Sequence, residues 1–484
     1  NINLNWVDKL RIEQEFKRMP DSTWVLANEN TYVNFYIVKG AQQLYAHQLR
    51  NFDKYQFDVQ NADSIFGLLG PIHELPEATA QTDTFWIHNR HVPLKEKESA
   101  LDDLLAQLRK VPAFHVIIKT AEILITGYIP TTADKDKSKF DFGPMNTTFS
   151  ANHLEGFRMR VGGMTTANLN PHWFGSGYLA YGVNDRKLKY NAKLTYSVNK
   201  KKYHEGESPV NNISAIQEYD VYTPGQDFLF TSKDNMFVAW KVGEPVTMMQ
   251  YIRKTMLQYQ KEWLNGLTLT TWARNENNEA AGTLRYDRYD ADGTLTNLKS
   301  FTNTELGTQL RFAPGERAYN GREGKNSLFN LSKDAPVFKL SHQMGLKNVL
   351  GSDFNYNHTE ISAEKRIWLS SFGHIDALVT AGKGWDKVPF PLLIMPNTNQ
   401  SITIQPQAFN MMRALEFVSD QYVSFYFTYY MKGWILNRIP GVKWLRLREV
   451  ISFSGFYGGL TDKNNPALDP TGLYRFPEGT SPMG

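Results

Sequence analysis

The sequence predicts an all-β membrane protein: a transmembrane antiparallel β-barrel behind a small mixed α/β N-terminal region. Three observations predict it. Apolar and polar residues alternate over spans of roughly ten residues, aromatic residues make up 13% of the chain, and no stretch suits a membrane helix. The nearest candidate, residues 111–128, carries Pro112, Lys119 and Glu122, which are costly in hydrocarbon.

The clearest alternation covers residues 187–199. Every second residue there is apolar, and those between are lysine, asparagine, threonine or serine. Because successive side chains of a strand point to opposite faces, one face of this strand is apolar and the other polar. A single strand of this kind fits a soluble β-sandwich equally well.

Repetition of the pattern favours a membrane barrel over a sandwich. Residues 157–161, 422–432 and 444–457 alternate in the same way, although Glu449 falls on the apolar face of the last and requires a register shift or an interfacial position. The longer runs have the length that crosses a bilayer at a tilt, whereas soluble strands cluster near about five or six residues.

About 12 strands are visible between Leu154 and Leu460, on the strand lengths expected of such barrels. Turn-like sequences separate them, and a closed barrel is the form in which a sheet satisfies its backbone hydrogen bonds in lipid. These turns are Val183-Asn184-Asp185, Asp290-Ala291-Asp292-Gly293 and Pro314-Gly315.

Three regions follow from these patterns. Residues 1–60 form a periplasmic β-rich region, interpreted as a fragment of a longer domain, with short strands around Pro20-Asp21. Residues 61–149 form a periplasmic helical and linker region that leads into the barrel, with a helix predicted over residues 96–110. Residues 150–484 form the outer-membrane barrel, which we expect to lack its last strands.

Composition excludes several functional classes. The net charge of +4 is too small to indicate nucleic-acid binding. The chain has no cysteine, which removes disulfides, thiolate zinc sites and cysteine nucleophiles. No arrangement of serine, histidine and carboxylate or G-x-S-x-G motif is recognisable, so we expect a protein that is not an enzyme and has no cofactor.

Two motifs resemble metal sites, and neither predicts one. His88-Asn89-Arg90-His91 has the H-x-x-H spacing, but Trp86 and Pro93 around it indicate an extended segment with no third ligand nearby. Asp287, Asp290 and Asp292 fail the calcium-loop spacing and indicate a hairpin turn, with surface calcium as the alternative.

Glycines among aromatic residues give a further pattern. Gly175-Ser176-Gly177 and Gly182 lie in a predicted strand that also carries Trp173 and Tyr178. Phosphate binding requires a strand-to-helix context that is missing here. We interpret these glycines as positions where the sheet curves or backbones approach closely.

Four arginines on polar strand faces are the candidate functional residues, because polar faces of barrel strands point into the lumen. They are Arg158, Arg160, Arg446 and Arg448. One hypothesis is a structural salt-bridge network that holds a plug or loop; the other is a lumen that favours anionic solutes. The acids available as partners of these arginines are Glu155, Glu262, Glu316 and Glu449. The loop that could fold inward is residues 316–322.

Several stretches resemble one family, the uncharacterised outer-membrane β-barrel proteins of the Bacteroidetes. The strongest is Glu155-Gly156-Phe157-Arg158-Met159-Arg160-Val161-Gly162-Gly163, followed by Glu262-Trp263-Leu264-Asn265-Gly266-Leu267 and Ala313-Pro314-Gly315-Glu316-Arg317. The resemblance implies that full-length members carry an N-terminal carboxypeptidase-regulatory-like domain. It supplies no catalytic residues. The structural motif positions are Glu155, Gly156, Phe157, Gly162, Gly163, Trp263, Gly266 and Arg317.

Two functions follow as expectations. The first is a structural or assembly role in a multi-protein outer-membrane complex, with outer-membrane lipid around the barrel and outer-membrane or periplasmic proteins as partners. The second is a passive or substrate-specific pore. A soluble β-protein is the remaining alternative for the class, and detergent-free solubility would establish it.

Overall fold

Two units make up the chain in the computed structural model, Asn1–Val111 and Pro112–Gly484. The predicted helix over residues 96–110 lies outside the described residues. The structure describes residues 7–35, 44–55, 57, 81–89, 111, 112, 116, 120, 123, 127–132, 137–238, 245–316, 318, 319, 329, 330, 334–445 and 447–483.

The first unit contains a three-stranded antiparallel sheet in the order β1-β2-β3. Its strands are β1 (Val7–Arg18), β2 (Trp24–Phe35) and β3 (Leu44–Asn51). The predicted turn at Pro20-Asp21 is confirmed, and the strands on both sides of it are longer than predicted. Asp21 Oδ1 accepts a hydrogen bond from the backbone N–H of Thr23 at 3.0 Å, which stabilises this turn.

The extended segment predicted around His88 is wrong, because α1 (Asp83–Asn89) is a helix. Thr82 Oγ1 accepts a hydrogen bond from the backbone N–H of Phe85 at 3.3 Å, in the manner of an N-cap. The prediction rested on Trp86 and Pro93, whereas the helix begins at the cap formed by Thr82. His91 lies outside the described residues.

The second unit is built on one large antiparallel sheet with short accessory strands. Short 3-10 turns lie at Met145–Thr147, Ser370–Phe372, Phe390–Leu392, Leu436–Arg438, Lys443–Leu445 and Asp462–Asn464. The strands are β4 (Ile129–Pro130), β5 (Phe140–Phe142), β6 (Phe149–Asn152), β7 (Gly156–Thr165), β8 (Trp173–Gly182), β9 (Leu188–Ser197), β10 (Asn211–Tyr222), β11 (Met248–Glu262), β12 (Leu267–Gly282), β13 (Tyr286–Tyr289), β14 (Leu295–Leu298), β15 (Ser300–Phe312), β16 (Ala318–Tyr319), β17 (Phe329–Asn330), β18 (Val337–Gly345), β19 (Tyr356–Trp368), β20 (His374–Gly384), β21 (Phe417–Val418), β22 (Gln421–Tyr430), β23 (Val450–Gly459) and β24 (Ser481–Pro482).

The large sheet has 15 strands, and its neighbours follow chain order as a meander. Its path is β4-β5-β7-β8-β9-β10-β11-β12-β15-β18-β19-β20-β22-β23, and β6 also pairs with β7. The path strands from β7 to β23 fall between Leu154 and Leu460, where the sequence predicted about a dozen strands. The predicted antiparallel all-β class is therefore confirmed.

Closure of this sheet into a barrel would require hydrogen bonds between its first and its last strands. Among the described residues, no hydrogen-bonded strand pair joins β4 or β5 to β23. Nor is any helix in the described part of the chain long and apolar enough to cross a membrane.

One strand begins later than predicted. The alternation over residues 444–457 predicts a strand from Trp444, whereas β23 begins at Val450 and Lys443–Leu445 form a 3-10 turn. Glu449 accepts hydrogen bonds from the backbone N–H groups of Ile435 (3.1 Å) and Leu436. The carboxylate therefore stabilises the preceding turns and lies outside the strand, which removes the conflict with an apolar face.

One face of the sheet exposes apolar side chains from β7 to β23; we call it the apolar face. On β18, Leu340 lies directly opposite Leu310 of β15 and Ile361 of β19. All three side chains are more than 40% exposed. Exposed residues that continue this face include Phe157, Met159, Val161, Leu179, Leu188, Leu194, Leu257, Leu306, Phe338, Val379, Val423, Phe427, Ile451 and Phe453.

The opposite face, here called the polar face, carries charged side chains and a buried core. Directly opposed residues form a polar row across five strands: Tyr178, Asn191, Glu218, Lys254 and Glu276. At one end of the sheet, the β13–β14 hairpin and the loop between β20 and β22 pack on this side around Tyr286, Phe301 and Phe390. The larger of the two core clusters of described residues therefore lies on the polar side of the sheet. On the apolar side, Val221, Met249, Tyr251 and Ala281 are buried at one end, whereas the face around Leu310, Leu340 and Ile361 is exposed.

Candidate functional site

Arg158 lies at the centre of a group of buried charged side chains on the polar face. Its side chain is 0% exposed and donates to three carboxylates. Nη1 lies 2.8 Å from Glu155 Oε1 and 2.7 Å from Asp220 Oδ1. Nη2 lies 2.9 Å from Asp220 Oδ2 and 3.2 Å from Asp234 Oδ2. The contact with Asp220 is bidentate, a strong geometry for arginine and carboxylate.

The tight turn between β6 and β7 positions Glu155 beside Arg158. Asn152 Oδ1 accepts hydrogen bonds from the backbone N–H groups of Leu154 (3.1 Å) and Glu155 (2.8 Å), and Asn152 Nδ2 donates to the Glu155 carboxylate. Gly156 follows with a φ of +65°, which residues with a Cβ rarely adopt. The turn therefore fixes a carboxylate that pairs with Arg158.

Lys189 of β9 adds a second cation to the same carboxylate. Its Nζ lies 2.7 Å from Glu155 Oε1 and 2.5 Å from Asp185 Oδ2, and the side chain is 0% exposed. Asp185 belongs to the turn between β8 and β9, so two turns at the same end of the sheet meet at Lys189.

The loop between β10 and β11 folds onto the polar face and contributes Lys233 and Asp234. Lys233 Nζ lies 3.0 Å from both Asp220 Oδ2 and Asp234 Oδ1, and Arg160 Nη1 lies 2.8 Å from Asp234 Oδ2. Burial acts to raise the pKa of Asp234, but Lys233 and Arg158 outweigh it and hold this pKa below its usual value. Burial acts to lower the pKa of Lys233, and the two aspartates raise it overall. Both loop side chains are therefore charged at neutral pH.

Tyr178 of β8 packs between the arginine and aspartate side chains. Its hydroxyl donates to Asp220 Oδ2 at 2.5 Å, and the guanidinium of Arg160 lies 3.7 Å from its ring centroid. A cation above an aromatic ring is attracted by the negative face of the ring. Asp220 thus receives Arg158, Lys233 and Tyr178 at once, and it is the acceptor that joins sheet and loop.

These side chains are electrically balanced. Four cations face four carboxylates, so no formal positive excess remains to attract an anionic solute. Burying paired charges in good geometry avoids the cost of burying them alone. We call this set the charged cluster: Arg158, Arg160, Lys189, Lys233, Glu155, Asp185, Asp220 and Asp234.

Two of the four arginines singled out in the sequence meet in the charged cluster. Arg158 and Arg160 both pair with Asp234 of the β10–β11 loop. Arg448 lies in the segment that precedes β23, and Arg446 lies outside the described residues. The structure thus brings together Arg158 and Arg160 of β7. Arg448 belongs to a different part of the chain, just before β23.

One of the four glutamates considered as partners pairs with Arg158, namely Glu155. Glu262 and Glu449 accept hydrogen bonds from backbone N–H groups, and Glu316 pairs with an arginine of β15. Arg158 and Arg160 therefore do not use these three acids as partners, and the hypothesis that they pair with Arg446 or Arg448 stays a prediction.

Sequence reasoning missed Asp220 and Asp234, the main partners of Arg158. Asp220 lies two residues beyond Glu218 on the polar face of β10, so the two-residue alternation carried a usable signal. Asp234 lies in a long loop, and no spacing in the sequence connects it to β7. Only the fold of that loop brings it to the arginines.

The glycines of the motif in β7 allow close approach. A Cβ on Gly163 would lie 2.4 Å from the ring of Phe140, and one on Gly162 would lie 2.8 Å from the backbone oxygen of Gly177. The interpretation that the glycines of β8 mark close backbone approach is confirmed at Gly177, where a Cβ would lie 2.2 Å from the backbone oxygen of Asn191, and is wrong at Gly175, where the nearest atom would be 3.8 Å away. Phe157 of the same motif lies on the apolar face, half exposed.

The second motif forms the turn between β11 and β12. The backbone N–H of Trp263 donates to the backbone oxygen of Leu267 at 2.8 Å. Gly266 has a φ of +84°, and a Cβ there would lie 2.3 Å from the backbone oxygen of Ala313. Arg317 lies outside the described residues.

Metal-ligating side chains are scattered over the ranges that the structure describes. No group of three or more histidine, aspartate or glutamate side chains there is arranged to hold a metal ion. Asp287 and Asp292 belong to the β13–β14 hairpin, which confirms the predicted turn. Asp292 Oδ1 accepts a hydrogen bond from the backbone N–H of Thr294 at 3.1 Å.

Comparisons with known proteins give one family and several matches to solved structures. The family model described as "Family of unknown function (DUF5686) C-terminal domain" matches residues 121–464. No curated protein matches the chain. Twenty-four chains of solved structures match. One is BamA from Haemophilus ducreyi lacking POTRA domains 1-3, at 9% identity and a TM-score of 0.40. That match covers 71% of this chain and 66% of that chain, just under two thirds of its length.

Proposed function

This chain belongs to the DUF5686 family of unknown function, because the C-terminal-domain model matches more than half of it, and from that premise we propose an outer-membrane protein whose large sheet closes into a transmembrane β-barrel. The proposal includes the finer features of the resemblance: a Bacteroidetes origin and full-length members with a carboxypeptidase-regulatory-like domain. The observation that carries the membrane location is the exposed part of the apolar face around Leu310, Leu340 and Ile361, opposite a face of buried charges.

The apolar face supports contact with lipid. Exposed side chains recur on it in neighbouring strands, and each Å² of apolar surface left in water costs about 25 cal/mol. Contiguous exposed apolar surface beyond a few hundred Å² is rare in soluble monomers. Lipid is the partner that covers such a face on every strand at once.

The limits of the apolar face also suit a bilayer. On β12, which has 16 residues, Ala273 lies opposite Leu306, whereas Asn275 and Asn277 further along the same face lie opposite threonines of β15. A barrel strand needs about 9–11 residues to cross. The strand is long enough to cross and to continue into water, where its outward residues become polar.

The balanced charged cluster supports a structural or assembly role over an anion-selective pore. Its arginines are held by carboxylates of the sheet and of the inward-folded β10–β11 loop. In this proposal the barrel is a largely filled anchor, and the N-terminal region lies in the periplasm and binds other envelope proteins. No catalysis, cofactor or nucleic acid is part of the role. A substrate-specific pore is the alternative.

The test separates location from role. The protein expressed in its native envelope should fractionate with outer membranes and resist salt and carbonate extraction. Mild-detergent purification should then yield it with envelope proteins bound, and planar-bilayer recordings should show no steady conductance. Recovery in the soluble fraction would contradict the location. A protein that always purifies alone and conducts would retain the location and replace the assembly role by the pore.

A further inference from the structure

A cavity of about 580 Å³ lies between the polar face, the β10–β11 loop and the loop between β20 and β22. No member of the charged cluster lines it. Small-molecule sites have volumes of about 300–1,000 Å³. The cavity is therefore large enough for a ligand and is distinct from the site described above.

Acidic side chains dominate the charges of the cavity wall. Four carboxylates face two cations, a formal excess of two negative charges: Asp227, Glu276, Glu305 and Glu360 against Arg274 and Lys339. Arg274 is already paired with carboxylates of the wall, because its Nη2 lies 2.8 Å from Glu305 and its Nε lies 3.5 Å from Glu276.

Asp227 and Glu360 are the carboxylates that remain without a cation among the described residues. Glu360 accepts a hydrogen bond from the hydroxyl of Tyr422 at 2.6 Å. Burial raises the pKa of Asp227, Arg274 acts to lower it, and the negative charge of Glu360 acts to raise it, so that this pKa lies above its usual value. A positive ligand placed between these two carboxylates would relieve their repulsion.

A buried amide supplies an independent observation. Asn303 lines the cavity and is 3% exposed. Its Nδ2 donates to the hydroxyl of Tyr356 at 2.9 Å, while no donor in the described part of the chain reaches its Oδ1. An acceptor buried without a donor is costly, so this oxygen favours a ligand that carries N–H groups.

Aromatic rings form another part of the wall. Tyr422 and Phe456 stack with their centroids 5.0 Å apart, and Phe409 and Tyr426 lie 5.0 Å apart. Ring faces attract organic cations. Bare metal ions fit less well, because the described residues offer no group of three ligating side chains.

We propose that this cavity binds an organic cation that carries ammonium groups, with Asp227, Glu360 and the Asn303 amide oxygen as its acceptors. The ammonium groups donate hydrogen bonds to these oxygens, and the aliphatic part packs on the aromatic wall. The proposal concerns binding by the folded chain and does not depend on conduction or on a partner protein.

The test uses the full chain in detergent and spermidine as the probe, titrated calorimetrically at low salt. Spermidine should bind saturably and weaken as salt is added, whereas maltose and citrate of similar size should not bind. Absence of saturable spermidine binding, or equal binding of maltose, would overturn the proposal. These comparisons use the unaltered protein and therefore need no variant to fold.

Variants then locate the site. Glu360→Gln and Asp227→Asn should each weaken spermidine binding at least about tenfold, because each removes a full charge in a partly dehydrated site. Glu279→Gln, a matched change on β12 outside the cavity, should leave the affinity unchanged. Equal affinities in all three variants would place the bound spermidine elsewhere and contradict the assignment.

Discussion

Arg158 on β7 and Asp220 on β10 hold each other through two parallel hydrogen bonds, Nη1 to Oδ1 at 2.7 Å and Nη2 to Oδ2 at 2.9 Å. Both side chains are fully buried. Strands β8 and β9 lie between β7 and β10 in the sheet, so this pair bridges across two intervening strands. It joins β7 to β10 across the polar face and provides the acceptor for the loop lysine.

Arg158→Ala should destabilise the folded protein by about 3–5 kcal/mol, because it leaves buried carboxylates without their cation. Denaturant titration and the heat-modifiable shift on gels measure this. Arg186→Ala, an exposed arginine in the turn between β8 and β9, is the matched control and should change little. If Arg158→Ala is as stable as the control, the charged cluster has no structural role.

The lowered pKa of Asp234 predicts how the stability contributed by the β10–β11 loop depends on pH. This pKa is held below the usual value by Lys233 and Arg158, so the contribution of Asp234 to stability is complete above the unfolded-state pKa of about 4. That contribution is lost as the pH falls through the lower folded-state pKa. The denaturation midpoint should therefore fall below about pH 4, and Asp234→Asn should reduce this dependence. Asp462→Asn, a change of an exposed aspartate, is the control, and an unchanged pH profile in Asp234→Asn would refute the assignment.

Leu340→Arg should impair folding into lipid vesicles by about 2–4 kcal/mol, the cost of arginine on the lipid side near the bilayer centre. Leu340 is flanked by Leu310 and Ile361 on the apolar face. Asn275→Arg, on the same side of the sheet beyond the apolar residues, should cost about 0–1 kcal/mol. Equal effects of the two substitutions would mean that the apolar face does not contact lipid.

Two glycines of β8 provide an internal comparison. A Cβ on Gly177 would lie 2.2 Å from the backbone oxygen of Asn191, whereas one on Gly175 would meet nothing nearer than Thr165 at 3.8 Å. Gly177→Ala should therefore destabilise the protein by about 1–3 kcal/mol, as overpacked positions do. Gly175→Ala should be close to neutral in the same denaturant titration. The reverse order would contradict the close strand contact.

Strand positions could be predicted from the sequence because the alternation of apolar and polar residues is a local property. β9 (Leu188–Ser197) and β22 (Gln421–Tyr430) fall within one or two residues of their predicted ranges. β23 departs because Leu445 and Leu447 continue the alternating pattern before the strand begins, while the Glu449 carboxylate accepts hydrogen bonds from a preceding turn. Helix α1 departs because Thr82 accepts a hydrogen bond from the backbone N–H of Phe85 and so caps a helix where Trp86 and Pro93 indicated an extended segment.

Only some of the contacts of the candidate site could be predicted from the sequence. Arg158 and Arg160 were selected because they alternate with apolar residues on one strand. Their aspartate partners lie 62 to 76 residues away along the chain, and the long loop that carries Asp234 has no periodicity to follow. The cavity likewise depends on loop packing, so its wall of Asp227, Asn303 and Glu360 has no sequence signature.

The most direct test of the membrane-spanning sheet uses the absence of cysteine from the chain, which makes any introduced cysteine the sole labelling site. A spin label at Leu340→Cys in reconstituted vesicles is compared with one at Asn275→Cys. The account predicts that the label at position 340 is relaxed by oxygen dissolved in lipid and shielded from a water-soluble nickel complex, and that the label at 275 shows the opposite. Accessibility of both labels to the nickel complex would contradict it.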